Sequence, residues 1–101
     1  VEFIRVADQR LTISAKCQVG PSFSCQGYAA LPKASLKNLE KETRLGVNPG
    51  VVICRHLPNT KVVMGIWPSG AQNSFCEFPD GSFVDCGSLY YRARMNDRPL
   101  R

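Results

Sequence analysis

Residues 61–85 read KVVMGIWPSGAQNSFCEFPDGSFVD, and the punctuation of this stretch sets the fold. Residues 61–67 are rich in β-formers and end at Pro68-Ser69-Gly70-Ala71, a turn signal. Residues 74–78 make a second strand, and Pro79-Asp80-Gly81 is a second turn. Phe83 and Val84 return the chain to the same sheet. The expectation is a small antiparallel sheet from residues 61–67, 73–79 and 82–84. Trp67 is the only tryptophan and closes an apolar strand, so it is expected to be at least half buried.

Upstream, Asn48-Pro49 is a helix start, because Asn caps free N–H groups and Pro at the first position loses no hydrogen bond. That helix should run to about residue 57, before Pro58, with Val51, Val52 and Cys54 on its apolar face. A further helix is expected over 34–45, with Ser35 as N-cap, Leu36 and Leu39 inward, and Gly46 as the stop. Its charges, Lys37, Glu40, Lys41, Glu42 and Arg44, read as a solvated, mutually paired face. Residues 17–27 read as a loop around Gly20-Pro21. Cys17 and Cys25 flank that dipeptide and could close it locally. Residues 1–17 alternate as two strands about an Asp8-Gln9-Arg10 turn, giving a hairpin that can extend the sheet. Downstream, Asp85 can cap a last helix whose buried face would hold Leu89, Tyr90 and Met95. Arg92, Arg94 and Arg98 lead into a polar tail.

The fold class is therefore α+β: a small antiparallel sheet with two or three short helices on one face, in a single disulfide-stapled domain. The 101 residues suit one domain. Apolar residues at 44 % and charged residues at 21 % argue against disorder. No window approaches the roughly 20 apolar residues of a membrane helix. Five cysteines in so short a chain point to disulfides and export, since a thin core needs covalent support. A chain beginning at Val1 is expected to have lost a signal peptide. The cysteines form no CxxC pair and His56 is the only histidine, so no metal is expected. An odd count leaves one thiol free or intermolecular, which would permit a covalent homodimer.

Chemistry-bearing patterns are sparse. His56 follows Arg55, which disfavours its protonation, and a Cys86–His56 nucleophilic pair is weaker than a surface histidine. The carboxylates Glu2, Asp8, Glu40, Glu42, Glu77, Asp80, Asp85 and Asp97 mostly sit where turns and caps want them. No phosphate-cradling glycine loop is present. Tyr90, Tyr91, Arg92, Arg94, Arg98 and Arg101 come nearest to a nucleic-acid surface. They read instead as a helix with a buried aromatic face and a basic edge. No cofactor and no nucleic-acid partner are expected, and the net charge of +5 suits an acidic partner.

Asn48, Pro49 and Cys54, then Cys76, Phe78, Pro79, Asp80, Gly81 and Ser82, then Asp85, Leu89, Tyr90 and Arg92 carry a resemblance. Over residues 48–96 the chain resembles a family of short bacterial envelope proteins that bears the name hemolysin and is formally a domain of unknown function. The family pattern is Asn-Pro-Ala-Ser-x-x-Cys, a variable hairpin, a Cys before a Pro-Asp/Gly-Gly turn, then Asp-Glu-Trp and a helix. This chain has Gly50 and Val51 in place of Ala-Ser, and Cys86-Gly87 in place of Glu-Trp. The resemblance implies a Cys54–Cys76 disulfide tying the helix to the hairpin. It divides the domain into an N-terminal hairpin, loop and helix (1–45), a family-like core (46–98) and a tail (99–101). Cys86 is then expected to join Cys17 or Cys25, stapling residues 1–45 to the core. In the rival arrangement Cys17 pairs with Cys25 and Cys86 is free.

The resulting expectation is an exported, periplasmic or secreted bacterial module that binds or inhibits another protein and has no catalysis of its own. Its candidate binding loops are 20–24, with Gly20, Pro21 and Ser22, and 68–73, with Pro68, Ser69 and Gly70. A structural component of an envelope assembly and a membrane-active, hemolysin-like protein are the alternatives. The second lacks an amphipathic helix apolar enough to insert.

Overall fold

A computed structural model describes residues 2–98. The 99–101 tail and Arg101 lie outside the described residues. Strands β1 (Phe3–Val6) and β2 (Leu11–Ser14) form the N-terminal hairpin, paired from Phe3–Ser14 to Val6–Leu11. A short ribbon follows, β3 (Gln18–Val19) with β4 (Ser22–Phe23), then helix α1 (Gln26–Ala30). Helices α2 (Glu40–Arg44) and α3 (Pro49–Arg55) precede β5 (Lys61–Ile66), β6 (Gln72–Glu77) and β7 (Phe83–Asp85), and α4 (Cys86–Asn96) ends the described chain.

Five strands make one antiparallel sheet in the order β1-β2-β7-β6-β5. The N-terminal hairpin thus extends the sheet through β2, with Ile13 opposite Val84. Register places Ile4, Ile13, Val84, Cys76 and Val62 in one row across all five strands. Side chains alternate along a strand, so this row faces one way. It meets α3 and α4 in a core holding Ile53, Cys54, Leu89 and Ala93. Leu11, Cys17, Leu31 and Ala34 belong to the same core, so residues from both halves of the chain bury one apolar surface.

The opposite face carries aromatics. Phe3 stacks on Phe75 with ring centroids 4.7 Å apart, and Trp67 meets both edge-on at 5.8 and 6.0 Å. Trp67 is accordingly more than half buried, as its position in the sequence predicts.

Asn48 starts α3, its Oδ1 accepting from the Gly50 N–H at 2.8 Å, and Asp85 caps α4 by accepting from the Gly87 N–H. Three expectations need correction. The helix expected over 34–45 shrinks to Glu40–Arg44. Ser35 does not cap it; its hydroxyl donates to Asp97 at 2.7 Å, and Asn38 turns the chain in the left-handed region at φ 69°. Residues 17–27, read as loop, contain the ribbon and the start of α1. Met95 is exposed; α4 instead buries Cys86, Ser88, Leu89 and Ala93.

Candidate functional site

The N-terminal loop is built from its cross-link outward. Cys17 and Cys25 are disulfide-bonded with Cα atoms 5.2 Å apart, and they close the base of the β3–β4 ribbon. Cys17 is fully buried, which anchors the ribbon to the core, and the Ser24 N–H donates to the Cys17 carbonyl at 2.7 Å. Cys25 also caps α1, its Sγ accepting from the Tyr28 N–H. Phe23 stacks on Tyr28 at 4.9 Å, fixing the far strand against the helix. Everything beyond those anchors faces solvent: Gly20, Pro21 and Ser22 are exposed, and Val19 is 59 % exposed. Gly20 takes φ +59°, the left-handed conformation this turn needs.

The second expected loop is the tip of the β5–β6 hairpin. Pro68, Ser69 and Gly70 are exposed, and the turn is closed by the Gly70 N–H donating to the Trp67 carbonyl at 2.8 Å. It has no covalent staple; Trp67 packing holds its base.

The second disulfide is Cys54–Cys76, joining α3 to β6 with Cα atoms 5.6 Å apart. This is the pairing the resemblance implies. Cys86 is the remaining thiol and bonds neither Cys17 nor Cys25, so the staple from Cys86 to the N-terminal part does not exist. Local geometry explains it: Cys17 and Cys25 lie at the two ends of one tight ribbon, within bridging reach of each other. Cys86 sits at the start of α4, 1 % exposed, against the first turn of α3. Burial pushes its thiol up to about 12, with the nearby Asp85 charge adding to the shift. A thiol held there is neither a nucleophile nor a surface for a covalent dimer.

His56 does not approach it. Its Nε2 lies 2.8 Å from Glu42 Oε1 in an exposed pair. Among the described residues no group of three His, Cys, Asp or Glu side chains could hold a metal ion. Asp80, Asp85 and Asp97 have structural partners. Burial raises the Asp80 pKa, but hydrogen bonds from the Gln26 N–H and from Ser82, with Lys16 nearby, outweigh it and hold the group below its usual range. The Leu36 N–H, against burial and helped by the Ser35 hydroxyl, does the same for Asp97. Burial raises Asp85, opposed by the Gly87 N–H and the charge of Arg5.

The basic residues near the C-terminus are more organised than the sequence suggests. Tyr90 and Tyr91 are half-buried, and Arg94 lies over the Tyr90 ring. Arg10, from the other end of the chain, lies over Tyr91. No sequence signal links Arg10 to this group; only the fold brings it there. The chain matches no protein-family model, no curated protein and no solved structure.

Proposed function

We propose that this chain is an exported bacterial module that acts by binding, and thereby inhibiting or docking, another protein through the stapled 19–22 tip. The observation that carries this reading is the tip itself: four exposed residues with Val19 uncovered, on a ribbon cross-linked at its base and anchored to the core by Cys17. A loop fixed before binding loses little conformational entropy when it docks. Val19, an exposed aliphatic beside the Gly20-Pro21 turn, gives a partner something apolar to bury. The two disulfides suit an oxidising compartment. The resemblance over residues 48–96 is what suggests the bacterial envelope, periplasmic or secreted.

Immobilised chain should capture a defined protein from bacterial periplasmic extract, and a Val19→Asp, Pro21→Ser double variant should not. Equal capture by the variant would sink the assignment to this tip. The hemolysin-like alternative predicts release of haemoglobin from erythrocytes, and none is expected. Among the described residues no helix is long and apolar enough to cross a membrane.

A further inference from the structure

A second surface, remote in sequence from the stapled tip, has a different chemistry. The last two turns of α4 and the residues just after it set Tyr91, Arg94, Met95 and Arg98 at i, i+3, i+4 and i+7, one stripe of a helical surface. Arg10 reaches the same place from the turn between β1 and β2. These five residues line one depression, and no carboxylate is among them. Arg10, Arg94 and Arg98 are exposed, and none makes a salt bridge among the described residues. The neighbouring Asp97 does not serve them: both its oxygens are occupied, by the Ser35 hydroxyl and the Leu36 N–H.

Two further features fix the guanidinium groups. Arg10 sits in the left-handed region at φ 47°, uncommon for a side chain of its size, and its guanidinium carbon is 5.1 Å from the Tyr91 ring centroid. Arg94 is placed similarly, 5.6 Å from the Tyr90 centroid. A guanidinium lying over an aromatic ring keeps its N–H groups in its own plane, free to donate at the edge. With Arg98, which also lines the hollow, these two make three cations that repel one another, and a bound oxyanion relieves that repulsion while accepting several charge-assisted hydrogen bonds.

We propose that the depression formed by Arg10, Tyr91, Arg94 and Arg98 is an anion site for a phosphate group. A tetrahedral, multiply charged oxyanion offers oxygens in several directions and up to two charges to three guanidinium groups, whereas a carboxylate offers two oxygens in one plane and a single charge. At a bacterial surface the group can come from free phosphate or from a phospholipid headgroup, and the two sources are separable.

The test is a titration of the folded chain with inorganic phosphate at constant ionic strength, followed by amide and arginine side-chain NMR shifts. Saturable shifts confined to Arg10 and residues 90–98 are expected. Arg10→Gln and Arg94→Gln should each weaken binding by about tenfold, the loss of one charge-assisted contact. Arg94→Lys should weaken it nearly as much, because it keeps the charge and loses the planar fork. Lys41→Gln, on α2, should leave binding unchanged. All three positions are exposed, so unaltered spectra elsewhere will show that the variants fold. Co-sedimentation with phosphatidylglycerol vesicles, competed by phosphate and lost in an Arg10→Gln, Arg94→Gln double variant, would identify a lipid source. Saturable phosphate shifts without sedimentation would identify a free one. Unsaturable shifts, or equal weakening by Lys41→Gln, would reduce the feature to general positive charge and overturn the site. Tighter binding of duplex DNA through the same arginines would overturn the phosphate-group assignment in favour of nucleic acid.

Discussion

Gly50 shows how closely two helices can be forced together. A Cβ built there would lie 1.9 Å from the Cys86 carbonyl oxygen, so α3 and α4 meet backbone to backbone. Gly50→Ala should therefore cost at least about 2 kcal/mol, an overpacking penalty that outweighs the helix-propensity gain. Gly87 is the contrast. Its Cβ would meet only Asp85 Oδ2, at 3.4 Å, and Gly87→Ala should be neutral or stabilise by up to about 1 kcal/mol. Chemical denaturation of the pair reads both numbers directly. Cys86, beneath this contact, should resist thiol reagents in the native protein at pH 8, where its raised pKa keeps it protonated. In denaturant without reductant one thiol per chain should react; three would mean that a disulfide had been assigned wrongly. Asp85 carries the opposite lesson about charge. Its raised folded pKa means the ionised form is disfavoured in the native state, so its contribution to stability falls as pH rises from the unfolded value through the folded one. Asn caps a helix as well as Asp and has no charge to desolvate. Asp85→Asn should match or exceed the wild-type melting temperature at pH 7, whereas Asp85→Ala should lower it.

Among the elements, the two cross-links hold different things. Cys54–Cys76 spans 22 residues and joins α3 to β6 with both cysteines fully buried. Cys17–Cys25 spans 8, and Cys25 is partly accessible. Loop-closure entropy assigns roughly 3 kcal/mol to the longer bridge and somewhat less to the shorter. Mild reductant should open Cys17–Cys25 first, as peptide mapping after alkylation would reveal. A Cys54→Ala, Cys76→Ala variant should melt lower than a Cys17→Ala, Cys25→Ala variant; the reverse order would show that the ribbon, not the α3–β6 tie, supports the core. The sheet was legible because turn residues at 68–71 and 79–81 bracket its strands, and its alternation survives folding unchanged. The helix over 34–45 was not, because Asp97 draws Ser35 and the Leu36 N–H into a contact about sixty residues away in sequence. Helix α1 was missed for a similar reason: Gly27 is a poor helix former, tolerated because its N–H donates to the Ser82 hydroxyl at 3.0 Å. Of the candidate surfaces, loop 20–24 could be read from Gly-Pro between cysteines. The α4 stripe was visible as a basic edge, but Arg10 joins it only through the β1–β2 turn.

Across the whole molecule, the first 45 residues are fastened to the remainder by more than the shared sheet. At one end Asp80 Oδ2 accepts from the Gln26 N–H at 2.7 Å, and the Gln26 side-chain oxygen accepts from the Asp80 N–H at 2.8 Å. At the other, Asp97 takes the Ser35 hydroxyl and the Leu36 N–H, while the Asn96 amide donates to the carbonyls of Leu31 and Ala34. Both carboxylates have folded pKa values below the ordinary range. A depressed carboxylate contributes stability that is fully present above its unfolded pKa, near 4, and is lost as pH falls through the folded value. The two fastenings should therefore loosen together in acid. Hydrogen exchange should show residues 26–36 losing protection below about pH 4 before β5 and β6 do. Each carboxylate accepts on both oxygens, so an amide would present N–H to one of its donors. Asp80→Asn, Asp97→Asn should consequently be less stable than wild type at pH 7 and lose less further stability between pH 6 and pH 3. If the double variant kept the full wild-type acid sensitivity, the proton linkage would have to reside in other groups and these two residues would be ordinary surface contacts.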